Sequence, residues 1–182
     1  MLFGLRNLVY GDTDFIFSAI DKPYTIIAVG DYHDGYLLRR MDLFLFSDDV
    51  YFVPAYNREQ LRKAIKLAMD LYLPTVIMSI HRLFGIEDFH ELNNIIYPIL
   101  NRYDETVVIT TRPMENRRYP PEPFAPHYVR HMCDVVIYSR KVRGGYSIYI
   151  IKHPFLPYKK LYIPVLGGDL YGKKLSVFQR LT

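Results

Sequence analysis

Thr106-Val107-Val108-Ile109-Thr110-Thr111 opens a stretch, continuing to Lys152, whose reading decides the fold. The run is apolar and β-branched with no charge on either face, the pattern of a parallel strand buried on both sides. It empties into Arg112 to Pro126, a loop that carries Arg112, Arg117 and Arg118 with Tyr119 and Phe124. Pro113, Pro120, Pro121, Pro123 and Pro126 exclude helix and central strand from that loop. A short helix is predicted from about His127 to His131. Two strands follow, Cys133 to Arg140 and Tyr146 to Lys152, across the turn Val142-Arg143-Gly144-Gly145. Strand, basic loop, short helix and hairpin place a binding function at the loop.

Upstream, the same logic gives a regular alternation. Leu5 to Tyr10 reads as a strand that stops at Gly11, and Asp14 to Ile20 as two helical turns broken by Pro23. Tyr24 to Val29 is a second buried strand, Tyr36 to Leu45 has helical spacing, and Val50 to Val53 is a third strand. Asn57 is a good N-cap for Arg58 to Leu71. In that segment Leu61, Ala64, Ile65, Ala68 and Leu71 share one face, opposite Arg62, Lys63, Lys66 and Asp70. Thr75 to Met78 is the next strand, and Glu87 to Asn101 a second amphipathic helix that Pro98 is expected to kink or fray. This order specifies an α/β fold with a doubly wound, mostly parallel sheet and helices on both faces. Val135 to Arg140, Tyr146 to Lys152, Leu161 to Val165 and possible strand Leu175 to Gln179 extend it with C-terminal antiparallel hairpins.

The 182 residues fit one domain, and half of them are hydrophobic, which excludes a disordered chain. The net charge of +4 permits an anionic partner without requiring one. A single cysteine, Cys133, excludes an internal disulfide and a multi-cysteine zinc site, and fits a reducing, cytoplasmic location. No run approaches the roughly 18 to 20 apolar residues of a membrane span.

Pro126 to Lys141, the glycine pair Gly144-Gly145 and Ile150-Ile151-Lys152-His153-Pro154-Phe155-Leu156-Pro157 together resemble the C-terminal end of the RecA/RadA recombinase core. Archaeal RadA and its paralogues carry a similar run: a histidine-containing helix, an apolar strand ending in arginine and lysine, a glycine turn, and a strand ending in x-x-P-x-L-P. Asp49 to Asn57 is similar to the family's strand and Ala-Tyr-Asn segment. Val107 to Thr111 resembles the strand that leads into the second DNA-binding loop, which puts Arg112 to Pro126 at that loop. The resemblance spans nearly all of residues 1–182 as one RecA-like core domain. It leaves the family's N-terminal DNA-binding domain and polymerisation linker without a counterpart in these residues.

The departures from the family matter as much. A phosphate-binding loop needs G-x-x-x-x-G-K-[ST], because amides wrap the phosphates, a lysine reaches them and a hydroxyl holds Mg²⁺. Here Gly11 is followed by Asp12, Thr13 and Asp14, with no lysine and no second glycine. Ser79 stands where the family keeps its Walker B aspartate, and Asp34 lies near the position of its catalytic glutamate. The resemblance therefore implies a RadA-like paralogue with a degenerate nucleotide site, no cofactor and no catalysis.

The expected function is that of a DNA-binding accessory or mediator in homologous recombination and repair. Its expected partners are single-stranded or branched DNA and a RadA-type recombinase or another paralogue, with a homodimer also open and no membrane. Arg112, Arg117, Arg118 and Arg130 are the phosphate contacts, and Tyr119 or Phe124 the stacking residue. His127 and His131 have a spacing that can hold a metal, but no third ligand accompanies them and no metal site is expected. Two alternatives stand: a RecA-fold scaffold that binds protein and not DNA, and an unorthodox ATPase or a nuclease built on Asp31, His33 and Asp34.

Overall fold

The computed structural model describes residues 4–18, 23–30, 50–115 and 119–164. The expectations for Tyr36 to Leu45 and Leu175 to Gln179, and the residues Asp34, Arg117 and Arg118, fall outside them.

Strand β1 is Arg6–Gly11, and a 3-10 turn at Asp14–Ser18 takes the place of the first half of the expected helix. β2 is Tyr24–Val29, buried at every position, and β3 is Val50–Ala55. Helix α1 spans Arg58–Leu71, with the Asn57 side chain accepting from the Gln60 amide at 2.9 Å. It ends at Tyr72, whose φ of 56° is left-handed and whose N–H donates to the Met69 carbonyl. β4 is Thr75–Met78 and a 3-10 turn covers Ile80–Arg82.

Helix α2 is Phe89–Arg102 and runs through Pro98 to its end. It starts two residues later than the spacing suggested, because Gly85 to Asp88 close a turn in which the Gly85 amide donates to Asp88 Oδ2. β5 is Val107–Thr111 and α3 is His127–Met132. β6 is Val135–Val142, β7 is Gly145–Lys152 and β8 is Lys159–Pro164.

Among the described residues these strands form one sheet of eight, in the order β3-β2-β4-β5-β1-β6-β7-β8. The pairings from β3 to β6 are parallel, while β6 with β7 and β7 with β8 are antiparallel. The α/β class and the antiparallel extension expected from the sequence are both present. Alternation along the strands splits the core in two. Leu8, Ile27, Ile77 and Ile109 face α1 and α2 through Leu61, Ile65, Leu92 and Ile96. Val9, Ile26, Val76 and Val108 face the other way, where Phe15 and Ile16 of the first 3-10 turn cover them. Each fully buried aliphatic side chain contributes about 1.5–3 kcal/mol.

A candidate nucleic-acid interface

The connections reverse direction beside β1, which has β5 on one side and β6 on the other. In open α/β sheets ligands bind in the crevice beyond the strand carboxyl ends at such a point. A cleft of about 400 Å³ lies there, lined by Gly11, Asp12, Thr13, Ser79, His81 and Arg112 among others. Gly11 has φ +94°, and a Cβ at that position would collide with the Ser139 carbonyl. Glycine is needed here so that the end of β1 can approach β6.

Once there, the backbone is tied down. The Asp12 amide donates to Ser139 O at 3.1 Å, the Ser139 hydroxyl donates to Asp12 O, and Asp12 Oδ2 accepts from the Lys141 amide at 2.5 Å. The Ile16 amide turns back to Thr13 O at 3.1 Å. Amides that would have to converge on a phosphate are engaged within the protein at Asp12 and Ile16, and a carboxylate stands among them. Asp14 opens the 3-10 turn. Ser79 closes β4 in a left-handed conformation, φ 59°, with its amide donating to Thr110 Oγ1 at 2.8 Å. His81 lies deeper, and its pKa is lowered to about 4 by burial and by the nearby Arg112 and Arg82. It is therefore neutral at physiological pH.

The loop after β5 folds back on itself. Phe124 N donates to Arg112 O, Met114 N to Glu122 O, and the Thr111 hydroxyl to Phe124 O at 2.7 Å. Phe124 is only 4% exposed, packed edge-on against Phe89 at 5.3 Å and His81 at 6.5 Å, with the Arg112 guanidinium over its ring at 4.8 Å. The expectation that Phe124 stacks on a base is corrected by this burial: it is the core of the loop. Arg112 remains half exposed, with Glu115 at 4.0 Å. Arg130 pairs with Glu122 at 3.5 Å. Tyr10, fully buried on β1, donates its hydroxyl to Pro121 O at 2.8 Å and holds the middle of the loop down.

Tyr119 stands apart from the rest of the loop. It is 60% exposed and lies edge-on to Tyr138 at 6.1 Å and Tyr149 at 5.6 Å, donating its hydroxyl to that of Tyr149 at 2.9 Å. Strand register explains the cluster. Thr111, Tyr10, Tyr138, Tyr149 and Lys160 are successive partners across β5, β1, β6, β7 and β8. Lys160 Nζ sits 5.2 Å from the centre of the Tyr149 ring. The hydrogen bond from Tyr119, and then the nearby Ser147 and Lys160, lower the Tyr149 pKa to about 8. The bond to Tyr149 raises that of Tyr119. One row further on, Arg140, Ser147 and Tyr162 are partners, with Arg140 exposed and Tyr162 53% exposed. Exposed Tyr158 precedes Lys160.

Sequence reading placed the candidate interface in the loop and did not single out this face of β6 to β8. Its signal was present in the spacing of Tyr138 with Arg140 and of Tyr158, Lys160 and Tyr162 at every second position. The end of β7 is joined to α3 by Lys152, whose ammonium donates to the carbonyls of Arg130, His131 and, at 2.5 Å, Cys133 at the end of that helix. Cys133 is buried, and burial pushes its thiol up to about 12, so it packs as a small core residue.

No protein-family model matches the chain, and a search of curated proteins finds no match. Solved structures do match. The crystal structure of the RadB recombinase superposes with a TM-score of 0.62 over 90% of this chain and 88% of that one, at 13% sequence identity. At that identity the likeness establishes the fold, which is RecA-like.

Proposed function

We propose that this chain is a RecA-fold paralogue that has given up nucleotide chemistry and acts as a DNA-binding accessory in homologous recombination and repair. The observation that carries the reading is the exposed basic and aromatic surface formed by Arg112, Tyr119, Arg140, Lys160 and Tyr162 beside the crevice. Aromatic faces stack on bases without regard to sequence, and the cations follow the phosphates, the combination that single-stranded nucleic acid requires. Arg117 and Arg118 belong to the same loop and add to its charge. The engaged amide and the carboxylate of Asp12 support a nucleotide site that no longer functions, with no catalytic residue and no cofactor. The likeness to a recombinase fold supports a RadA-type recombinase or a second paralogue as the protein partner, in the cytoplasm. Among the described residues no helix is long and apolar enough to cross a membrane.

Fluorescence polarisation with single-stranded, duplex and branched DNA over a range of salt tests the proposal. Binding is expected to weaken with a log-log slope of about −0.7 per phosphate contact on single strands. An Arg112→Ala, Arg140→Ala, Lys160→Ala variant is expected to lose most of that slope. A second reading, a protein-binding scaffold, is favoured by Phe155, which is 88% exposed at the turn between β7 and β8. Absence of DNA binding at the lowest salt would select it.

A further inference from the structure

Helix α3 carries a feature that neither DNA binding nor the fold requires. His127 and His131, one turn apart, place their Nε2 atoms 3.1 Å from each other, with ring centres 4.1 Å apart and planes at 62°. Both rings are exposed, on the side of the helix opposite the fully buried Val129. The cations on and beside the helix are occupied elsewhere, Arg130 with Glu122 and Lys152 with the helix-end carbonyls.

We propose that His127 and His131 form a two-histidine chelate for a late first-row divalent metal ion, zinc in the first instance. The argument is geometric. Imidazole nitrogens bind Zn²⁺ at about 2.0–2.1 Å. Two such ligands at the tetrahedral angle are then about 3.3–3.4 Å apart, and two at a right angle about 2.9 Å apart. The observed separation falls between these values, so the two nitrogens are spaced for one ion, and rotation of the exposed rings about their side-chain bonds brings both lone pairs onto it. Without metal, one ring must donate Nε2–H to the lone pair of the other. With metal, both rings carry their protons on Nδ1 and present both Nε2 lone pairs to the ion. The helix bearing them is held on one side by the core and at its end by Lys152, so the pair is presented on a fixed frame. Among the described residues no cluster of three or more histidine, cysteine, aspartate or glutamate side chains is placed for a metal. The two remaining positions are therefore open to water or to a donor from a bound molecule, as in metal sites that exchange ligands.

Calorimetric titration of the intact chain with zinc alone tests this, beside Cu²⁺ binding read by electron paramagnetic resonance. The expected result is one site per chain, with copper tighter than zinc, as nitrogen donors dictate. His127→Ala and His131→Ala should each weaken zinc roughly tenfold or more. The double variant, with neither nitrogen left, should bind more weakly than either single one. The copper spectrum should show two equivalent-type nitrogens in the native chain and one in each single variant. His153→Ala should bind as the native chain does, because His153 Nδ1 accepts from the Phe155 and Leu156 amides in a separate turn. No zinc uptake by the native chain at millimolar metal would overturn the proposal, as would undiminished uptake by the double variant. Circular dichroism establishes that the variants fold, and none of these readouts involves nucleic acid.

Discussion

The crevice beyond β1 and the tyrosine row on β6 to β8 lie on neighbouring parts of one sheet, yet they treat their polar groups in opposite ways. In the crevice the Asp12 amide and carboxylate are consumed by Ser139 and Lys141 within the protein. On the row, Arg140 and Lys160 are left at the surface beside exposed rings. Internal hydrogen bonding closes a site to ligands while stabilising the fold, and cations exposed to solvent remain within reach of an anionic ligand. The difference ties the first region to stability and makes the second the place where the proposed binding is to be tested.

The largest expected effect breaks the crevice. Gly11→Ala forces a left-handed φ on a residue with a Cβ and drives it into the Ser139 carbonyl, so a loss of about 3 kcal/mol in urea unfolding is expected. Affinity for DNA, measured where the variant is still folded, should be unchanged. A variant as stable as the native chain would show that β1 and β6 do not depend on this close approach.

Tyr119→Ala acts on the other region. Removing one stacking ring costs about 1–3 kcal/mol of single-strand affinity, a drop of roughly tenfold or somewhat more in a polarisation titration. Phe124→Leu, in contrast, should alter stability and leave affinity in place, because that ring is buried. Equal losses of affinity in both variants would erase the distinction between the core of the loop and its surface.

The smallest effect is one of pH. Tyr149 titrates at about 8, below the ordinary phenol value of 10.0. Its native pKa is below its unfolded one, so the native state gains over the unfolded between pH 8 and 10, and the gain vanishes as pH falls through 8. Tyr119 shifts upward and so opposes this only above about 10. Urea midpoints of the native chain should rise relative to Tyr149→Phe as pH goes from about 7 to about 9.5. The phenolate absorbance that appears near pH 8 should be missing in the variant. No difference between the two chains would mean that the hydroxyl pair is not formed in solution.

The parts of the fold that local chemistry decides could be read in advance. Asn57 announced α1, the unbroken apolar runs announced β2, β4 and β5, and Gly144-Gly145 announced the turn between β6 and β7. Phe124 could not be read in this way. A ring in a loop of arginines and prolines looks solvated, and its burial depends on Phe89 and His81, which arrive from distant elements. The tyrosine row is non-local for the same reason. Each tyrosine shows its own period of two, but only the pairing of Tyr10 with Tyr138 and of Tyr138 with Tyr149 brings them into one line. In the sequence Asp12 showed only as a departure from the phosphate-loop pattern after Gly11. Its role in fastening β1 to β6 needed the partner strand.

Lys152 has a consequence for motion. Its ammonium grips three carbonyls at the end of α3, the helix that the basic loop feeds into, while its backbone belongs to the last rung of β7. For the loop to swing outward, α3 must shift and the grip must break, with the end of the hairpin peeling away. Helix α3 and the end of the hairpin are therefore expected to open together, with their amides exchanging with solvent at one common rate.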